Sequence, residues 1–312
     1  MLVGVNLEKA SLIGCDFRQS DLRGVNLQEA YVFEGKFQKA NLEGANLKNA
    51  ILRKAELQRA NLEYAELQGA NLEGAQLQEA NCHNADFSGA YFGGTKFEYA
   101  LLIGAIWDNA YYLEWWDVKR VGDEKPEYVK KRGWWGARSA YRALKNYFHQ
   151  QGKYDAESKA YYREKLMVER EACSYWVQGY QRHSDGSTDK LVLKARIHHF
   201  FHWLGLVIFH RVTGFGERWW WTVLWALGFI AFFGFLYWGG GAAGWFKFAF
   251  KPEMIPSIFQ YFYLSVVTFA TLGFGDITPL CWQAQVPVVI EVIFGYLFLG
   301  LIITIIARRF GR

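Results

Sequence analysis

The chain has 312 residues, of which 52% are hydrophobic and 18% aromatic, with a formal net charge of +5. A mean hydropathy near zero in so apolar a chain excludes a uniform soluble composition, so the sequence must be split into parts of opposite character. Residues 1–110 carry 14 acids and 10 bases, residues 111–215 carry 12 and 19, and residues 216–312 only 4 and 6. The middle is basic and the last third nearly uncharged. The cysteines Cys15, Cys82, Cys173 and Cys281 are scattered, which excludes a disulfide framework or a cysteine-based metal site.

The N-terminal third repeats every five residues. Stepping by five from Leu2 gives Leu7, Leu12, Phe17, Leu22 and so on to Leu102, without one polar residue. A second file, two residues earlier, is mostly alanine, continuous from Ala55 to Ala90. A period of five fits neither a helix nor a strand, so the chain turns a corner every five residues, and four corners close a square coil. The units "ANLEG", "ANLKN", "ANLEY" and "ADFSG" resemble the pentapeptide-repeat family. The resemblance implies a right-handed, quadrilateral β-helix over residues 1–110, with the leucine or phenylalanine and the small residue inside. About five coils would make a rod of roughly 25 Å at strand spacing. The rod carries no catalytic constellation, and its mixed charge argues against nucleic-acid mimicry, so it is expected to offer a surface for assembly or for a cytoplasmic protein partner.

Residues 111–196 break the period and are expected to form a helical cytoplasmic linker. Ala140, Leu144, Tyr147 and Phe148 fall at helical spacing, and a second helix follows a break near Gln151 and Gly152, so the pair resembles one helix-turn-helix unit of the tetratricopeptide kind. Residues 197–217 hold His198, His199, His202 and His210. A helix could pair two imidazoles for a metal or a pH response, but no Cys, Asp or Glu completes a ligand set, and an interfacial helix along the headgroups is the preferred expectation. The first "GFG", in "RVTGFGER", is then a corner before the first membrane span.

Residues 219–246 hold no charge, and residues 280–307 only Glu291, whereas about 20 apolar residues suffice to cross a bilayer. Membrane helices are expected over 219–241 and 286–308 in a pore region of residues 218–312. Arg211 and Arg218 before the first, and Arg308, Arg309 and Arg312 after the second, place both ends of the chain in the cytoplasm; Lys247 and Lys251 weakly oppose this. The polar N-terminus shows no signal peptide, in keeping with that side. Between the spans, a helix over 256–269 rises only about 20 Å and is expected to enter the membrane and stop inside it.

The second "GFG" follows that helix. In "TFATLGFGDITP", alternating glycines let successive carbonyls face one axis, and irregular backbone at that depth must line a water-filled path or be buried in protein. The segment resembles the potassium-channel signature at Thr271, Leu272, Gly273, Phe274, Gly275 and Asp276, with Thr268 and Pro279 also matching. The resemblance implies K+ bound by oxygens of Thr271, Leu272, Gly273 and Phe274, an outer turn at Gly275, and Asp276 as an anchor and a source of negative potential at the mouth. Thr268 and Glu291 would support this filter from behind, and Gly295 and Gly300 fall where a gating hinge or close helix packing is expected. Phe274 for tyrosine, Leu272 for valine and Ala270 without a hydroxyl depart from the pattern.

The sequence thus points to a multidomain homotetrameric potassium channel in a bacterial inner membrane, with an all-α two-span pore and lipid around it. K+ is the cargo; no organic cofactor, nucleic-acid partner or enzymatic activity is expected. No arginine-rich sensor, Walker loop or dinucleotide fingerprint announces a gate. The alternatives are a non-selective cation channel and a membrane-anchored scaffold that does not conduct.

Overall fold

The computed structural model describes residues 2–178, 180–182, 188–191, 193–217, 219–251, 254–272 and 276–310. The chain divides into two compact units, Met1–Leu206 and Val207–Arg312.

The first unit begins as a parallel coil with a 20-residue pitch. Bridges run from Asn6↔Asn26 to Tyr91↔Tyr111, each joining residues one full coil apart. Leu27 N–H donates to the Asn46 carbonyl at 2.7 Å, and Asn26 N–H to the Val5 carbonyl at 3.0 Å, so each coil hydrogen-bonds to those on either side. Leu42, Leu62 and Leu72, with Ala50, Ala60 and Ala70, are at most 1% exposed, which makes the two files the core. Each buried leucine contributes about 1.5–3 kcal/mol through its apolar surface. Asparagines one coil apart form side-chain ladders: Asn81 Nδ2 donates to Asn61 Oδ1 at 2.8 Å, and Asn61 Nδ2 to Asn41 Oδ1 at 2.9 Å. The corners use left-handed backbone, and many are not glycine: Lys9 has φ 57°, Glu29 57° and Lys54 57°.

The coil does not end at a free edge. Phe97 N–H donates to the Asp117 carbonyl at 2.7 Å and Gly122 N–H to the Ala100 carbonyl at 2.7 Å, so the chain keeps pairing after the repeats stop. A short α1 (Trp115–Val118), a 3-10 turn (Gly122–Glu124) and α2 (Pro126–Arg132) lead into α3 (Trp135–Gln150) and α4 (Tyr154–Gln178). Ala137, Ala140, Tyr141, Leu144, Tyr147 and Phe148 on α3 join one core with the leucine file, with Trp107 bridging Phe87 and Tyr147. Part of the segment expected as a helical linker thus packs on the end of the rod and caps it. Gly152 at φ +66° makes the turn between α3 and α4. An antiparallel pair that periodicity did not announce follows, β1 (Tyr180–Arg182) with β2 (Thr188–Lys190), and then α5 (Leu193–Thr213).

In the second unit, α6 (Trp219–Ala242), α7 (Ile258–Phe269) and α8 (Trp282–Phe310) pack on one another. A hairpin of β3 (Phe248–Phe250) and β4 (Ile277–Pro279) pairs Phe250 with Ile277. Both long helices exceed the expected spans. α8 starts four residues early because the Cys281 carbonyl accepts the N–H groups of Ala284 and Gln285, at 3.0 Å each. Pro287 lies inside α8 and forgoes one backbone bond near its start. α7 starts at Ile258 rather than Pro256, since Ser257 is the extended N-cap (φ −139°, ψ 165°).

Candidate pore site

α7 has 12 residues, so it rises about 18 Å, well short of a bilayer's hydrocarbon thickness of about 30 Å. α6 and α8 are long and apolar enough to cross one. Close approach is built into the helices: a Cβ on Gly234 of α6 would lie 2.9 Å from the Phe262 ring of α7. Much of the outer surface stays apolar and uncovered, with Leu227 and Phe232 on α6 and Val289 and Leu297 on α8 more than half exposed. Such a surface suits lipid or further copies of the chain, not water.

The TLGFGD segment is held at both ends by α7. At its start, Thr271 N–H donates to the Thr268 carbonyl at 3.1 Å and Leu272 N–H to the Val267 carbonyl at 3.0 Å. Thr271 has φ +58°, a left-handed conformation that costs a β-branched residue on the order of 1–3 kcal/mol and recurs at functional sites. At its end, Tyr263 Oη donates to Asp276 Oδ2 at 3.0 Å. Gly273, Phe274 and Gly275 lie outside the described residues. Leu272 is 78% exposed, and Thr268 is buried with a hydroxyl oxygen that finds no partner among the described residues.

Asp276, expected from sequence as an anchor and a source of negative potential, also has a cation beside it. Lys251 forms an ion pair with Asp276 Oδ1 and also donates its backbone N–H to the Asp276 carbonyl at 3.0 Å. The β3–β4 pairing brings the two residues together, so charge from the connection between the two long helices offsets the acid. Lys251 and Tyr263 were both missed by sequence reasoning.

Glu291 is fully buried between the three helices. Its Oε2 accepts from Tyr237 Oη of α6 at 2.6 Å, and its Oε1 contacts Ser265 Oγ of α7. Gly295 lies one helical turn further along α8, where a Cβ would fall 2.1 Å from the Phe269 carbonyl oxygen. Gly295 therefore admits the end of α7 against α8. A Cβ on Gly300 would meet nothing within 4 Å in the chain.

The first GFG is a left-handed turn after α5, with Gly214 at φ 57°, Phe215 at 58° and Gly216 at 84°. Phe215 is buried, and the His210 ring stacks on it at 4.7 Å. His198 and His199 are 5.9 Å apart between ring centroids, and His199 rests on Tyr175. Burial, helped by His198 and His202, lowers the His199 pKa. Among the described residues no group of three His, Cys, Asp or Glu side chains could hold a metal ion.

Comparison with known proteins matches the two ends of the chain to different families. The pentapeptide-repeat family matches residues 2–32, 36–65 and 55–94 in eight copies, and the ion-channel family matches residues 206–312. The chain thus carries pentapeptide repeats in its N-terminal third and an ion-channel domain in its C-terminal third. Among solved structures, a pentapeptide-repeat protein from Nostoc is 30% identical over 30% of this chain and 84% of its own, with a TM-score of 0.26. One from the Arabidopsis thaliana thylakoid lumen is 28% identical over 38% of this chain and 76% of its own, with a TM-score of 0.31. Potassium channel subfamily T member 1 of Gallus gallus is 50% identical over 36 residues, or 12% of this chain. The match spans 3% of that relative's length. Neither matched family is an enzyme family, and the ion-channel domain with its two long apolar helices marks a membrane protein, for which lipid contact and oligomerisation are the natural setting.

Proposed function

We propose that four copies of the ion-channel domain assemble around their TLGFGD segments into a K+-selective pore, with K+ held by oxygens of Thr271, Leu272, Gly273 and Phe274. One observation carries the reading: α7, too short to cross a membrane, holds the residues on both sides of 273–275 through Val267, Thr268 and Tyr263. A segment so anchored can present backbone oxygens in a fixed order, and one chain supplies one quarter of each ring. The apolar flanks of α6 and α8 provide the surface that neighbouring copies and lipid would cover. Arginines beside the outer ends of the two spans favour both chain ends in the cytoplasm of a bacterial inner membrane. Residues 197–217 would then run along the membrane surface, and the rod would offer its polar faces to a cytoplasmic protein. Phe274 and Leu272 bear on how strictly sodium is excluded.

The test is flux into liposomes carrying the purified full chain. Potassium-driven, barium-sensitive flux without sodium flux is the expected result, and Gly273→Ala is expected to abolish it while a tetramer persists in mild detergent. Equal flux from that variant would sink the assignment, sodium flux would make the pore non-selective, and a monomer or dimer would favour a non-conducting scaffold.

A further inference from the structure

We propose that Glu291 is held as a neutral carboxylic acid and that, in this state, it is the positioning residue that fixes α7 between the two spanning helices. The number of protons shared by three side chains and one carbonyl decides the state. Ser265 Oγ lies 2.8 Å from the Ile230 carbonyl oxygen of α6 and also contacts Glu291 Oε1. A carbonyl only accepts, and a serine hydroxyl has one proton to give. If Glu291 were ionised, Ser265 would face two acceptors with that one proton, leaving one pair of oxygens in contact without a hydrogen between them.

A neutral Glu291 satisfies every group. Tyr237 donates to Oε2, the carboxyl O–H at Oε1 donates to Ser265, and Ser265 donates to Ile230. The relay then runs in one direction from α6, through α8 and α7, and back to α6. Burial agrees with the count. Glu291 and Ser265 are both 0% exposed within one chain, so neither lipid nor a neighbouring copy reaches them. The groups facing Glu291 are a tyrosine and a serine hydroxyl, and no lysine, arginine or histidine among the described residues is paired with it. An ionised carboxylate in that place would have no compensating charge.

The relay also has a place in the pore. Ser265 is one turn before Thr268 on α7, and Phe269 at the end of α7 meets Gly295, one turn after Glu291 on α8. Fixing Ser265 therefore fixes the rotation and depth of the helix that holds Thr271, Leu272 and Asp276. This functional part rests on the channel reading above; the protonation state does not.

Two measurements on the full chain in lipid nanodiscs and liposomes test it. The first is the infrared C=O stretch of a protonated carboxyl at about pH 8, where ordinary carboxylates are ionised. Wild type is expected to show the band and Glu291→Gln to lack it. Absence of the band in wild type overturns the proposal. The second is potassium flux. Gln can donate to Ser265 and accept from Tyr237, so Glu291→Gln is expected to keep flux within about twofold, while Glu291→Ala, which leaves the buried Tyr237 hydroxyl without its acceptor and cuts α8 out of the relay, loses at least about tenfold. Equal loss in both variants, or no loss in Glu291→Ala, overturns the positioning role. If wild type itself carries no flux, the channel reading fails, and the infrared band still decides the state of Glu291.

Discussion

His83 Nε2 lies 3.0 Å from Asp123 Oδ1, and both side chains are almost fully buried. The other oxygen, Asp123 Oδ2, accepts the Leu102 N–H at 2.8 Å. One carboxylate thus ties two coils of the rod to the 3-10 turn that begins its cap. His83→Ala removes one partner of a buried pair and leaves the acid undersatisfied, so a loss of about 2–4 kcal/mol is expected. Urea unfolding of the full chain followed by tryptophan fluorescence would show it, and limited proteolysis should cut first between the repeats and α3. An unchanged midpoint would mean that the cap is held by its apolar contacts alone.

The rod could be read from sequence because its signal is local: every fifth residue reports its own burial. Its cap could not. Trp107 meets Tyr147 and His83 meets Asp123 across 40 residues, and no periodicity within either segment marks such pairs. α3 and α4 were visible through their helical spacing, whereas β3 and β4, three residues each, are too short to show alternation. At the pore, the acids were legible and their partners were not. Glu291 stood out as an acid on an apolar helix, but Tyr237 and Ser265 resemble ordinary residues until three helices converge. A lone hydroxyl facing the core of an apolar span was the signal available for Tyr237. The left-handed corners were missed because residues such as Lys9 and Glu29 occupy them as glycine does.

Asp117 gives the N-terminal unit a pH dependence. Burial pushes its carboxyl up to about 6, against the lowering effects of the Glu114 N–H bond and of Lys153. A raised carboxyl binds its proton more tightly in the folded than in the unfolded chain, so stability falls as pH rises from about 4 to about 6 and is level above. The loss amounts to roughly 2–3 kcal/mol. Asp117→Asn keeps an acceptor for Glu114 N–H without the charge. It should unfold later than wild type at about pH 7.5 and no later at about pH 4. A thermal midpoint difference that is the same at both pH values would contradict this.

Lys251 and Asp276 are both solvent-accessible, so in the proposed pore their ion pair acts on the field at the mouth more than on stability. Lys251→Gln should leave the thermal midpoint unchanged and make the mouth more negative. The affinity for an external cationic blocker should then rise by about two- to fivefold in dilute salt, and the gain should shrink as ionic strength increases. Asp276→Asn should move the affinity the other way. Lys251→Gln without effect on block at low salt would place the lysine away from the ion path.

Gly295 and Gly300 separate a packing requirement from a hinge. An alanine at Gly295 would put its Cβ 2.1 Å from the Phe269 carbonyl oxygen, a backbone atom that cannot swing aside. Either α8 or the end of α7 must shift, and overpacking of this kind costs about 1–3 kcal/mol. Because Phe269 is two residues before Thr271, the displacement also reaches the strained start of the TLGFGD segment. In the proposed tetrameric channel, Gly295→Ala is therefore expected to lower both the stability of the assembly and flux. At Gly300 a Cβ meets nothing within the chain, and alanine is a better helix former by up to about 1 kcal/mol, so Gly300→Ala should be neutral or stabilising. Melting of the tetramer in detergent beside liposome flux measures both. If Gly295→Ala keeps its melting point and alters only the open probability, Gly295 works by bending α8; if both fall together, it works by letting α7 in.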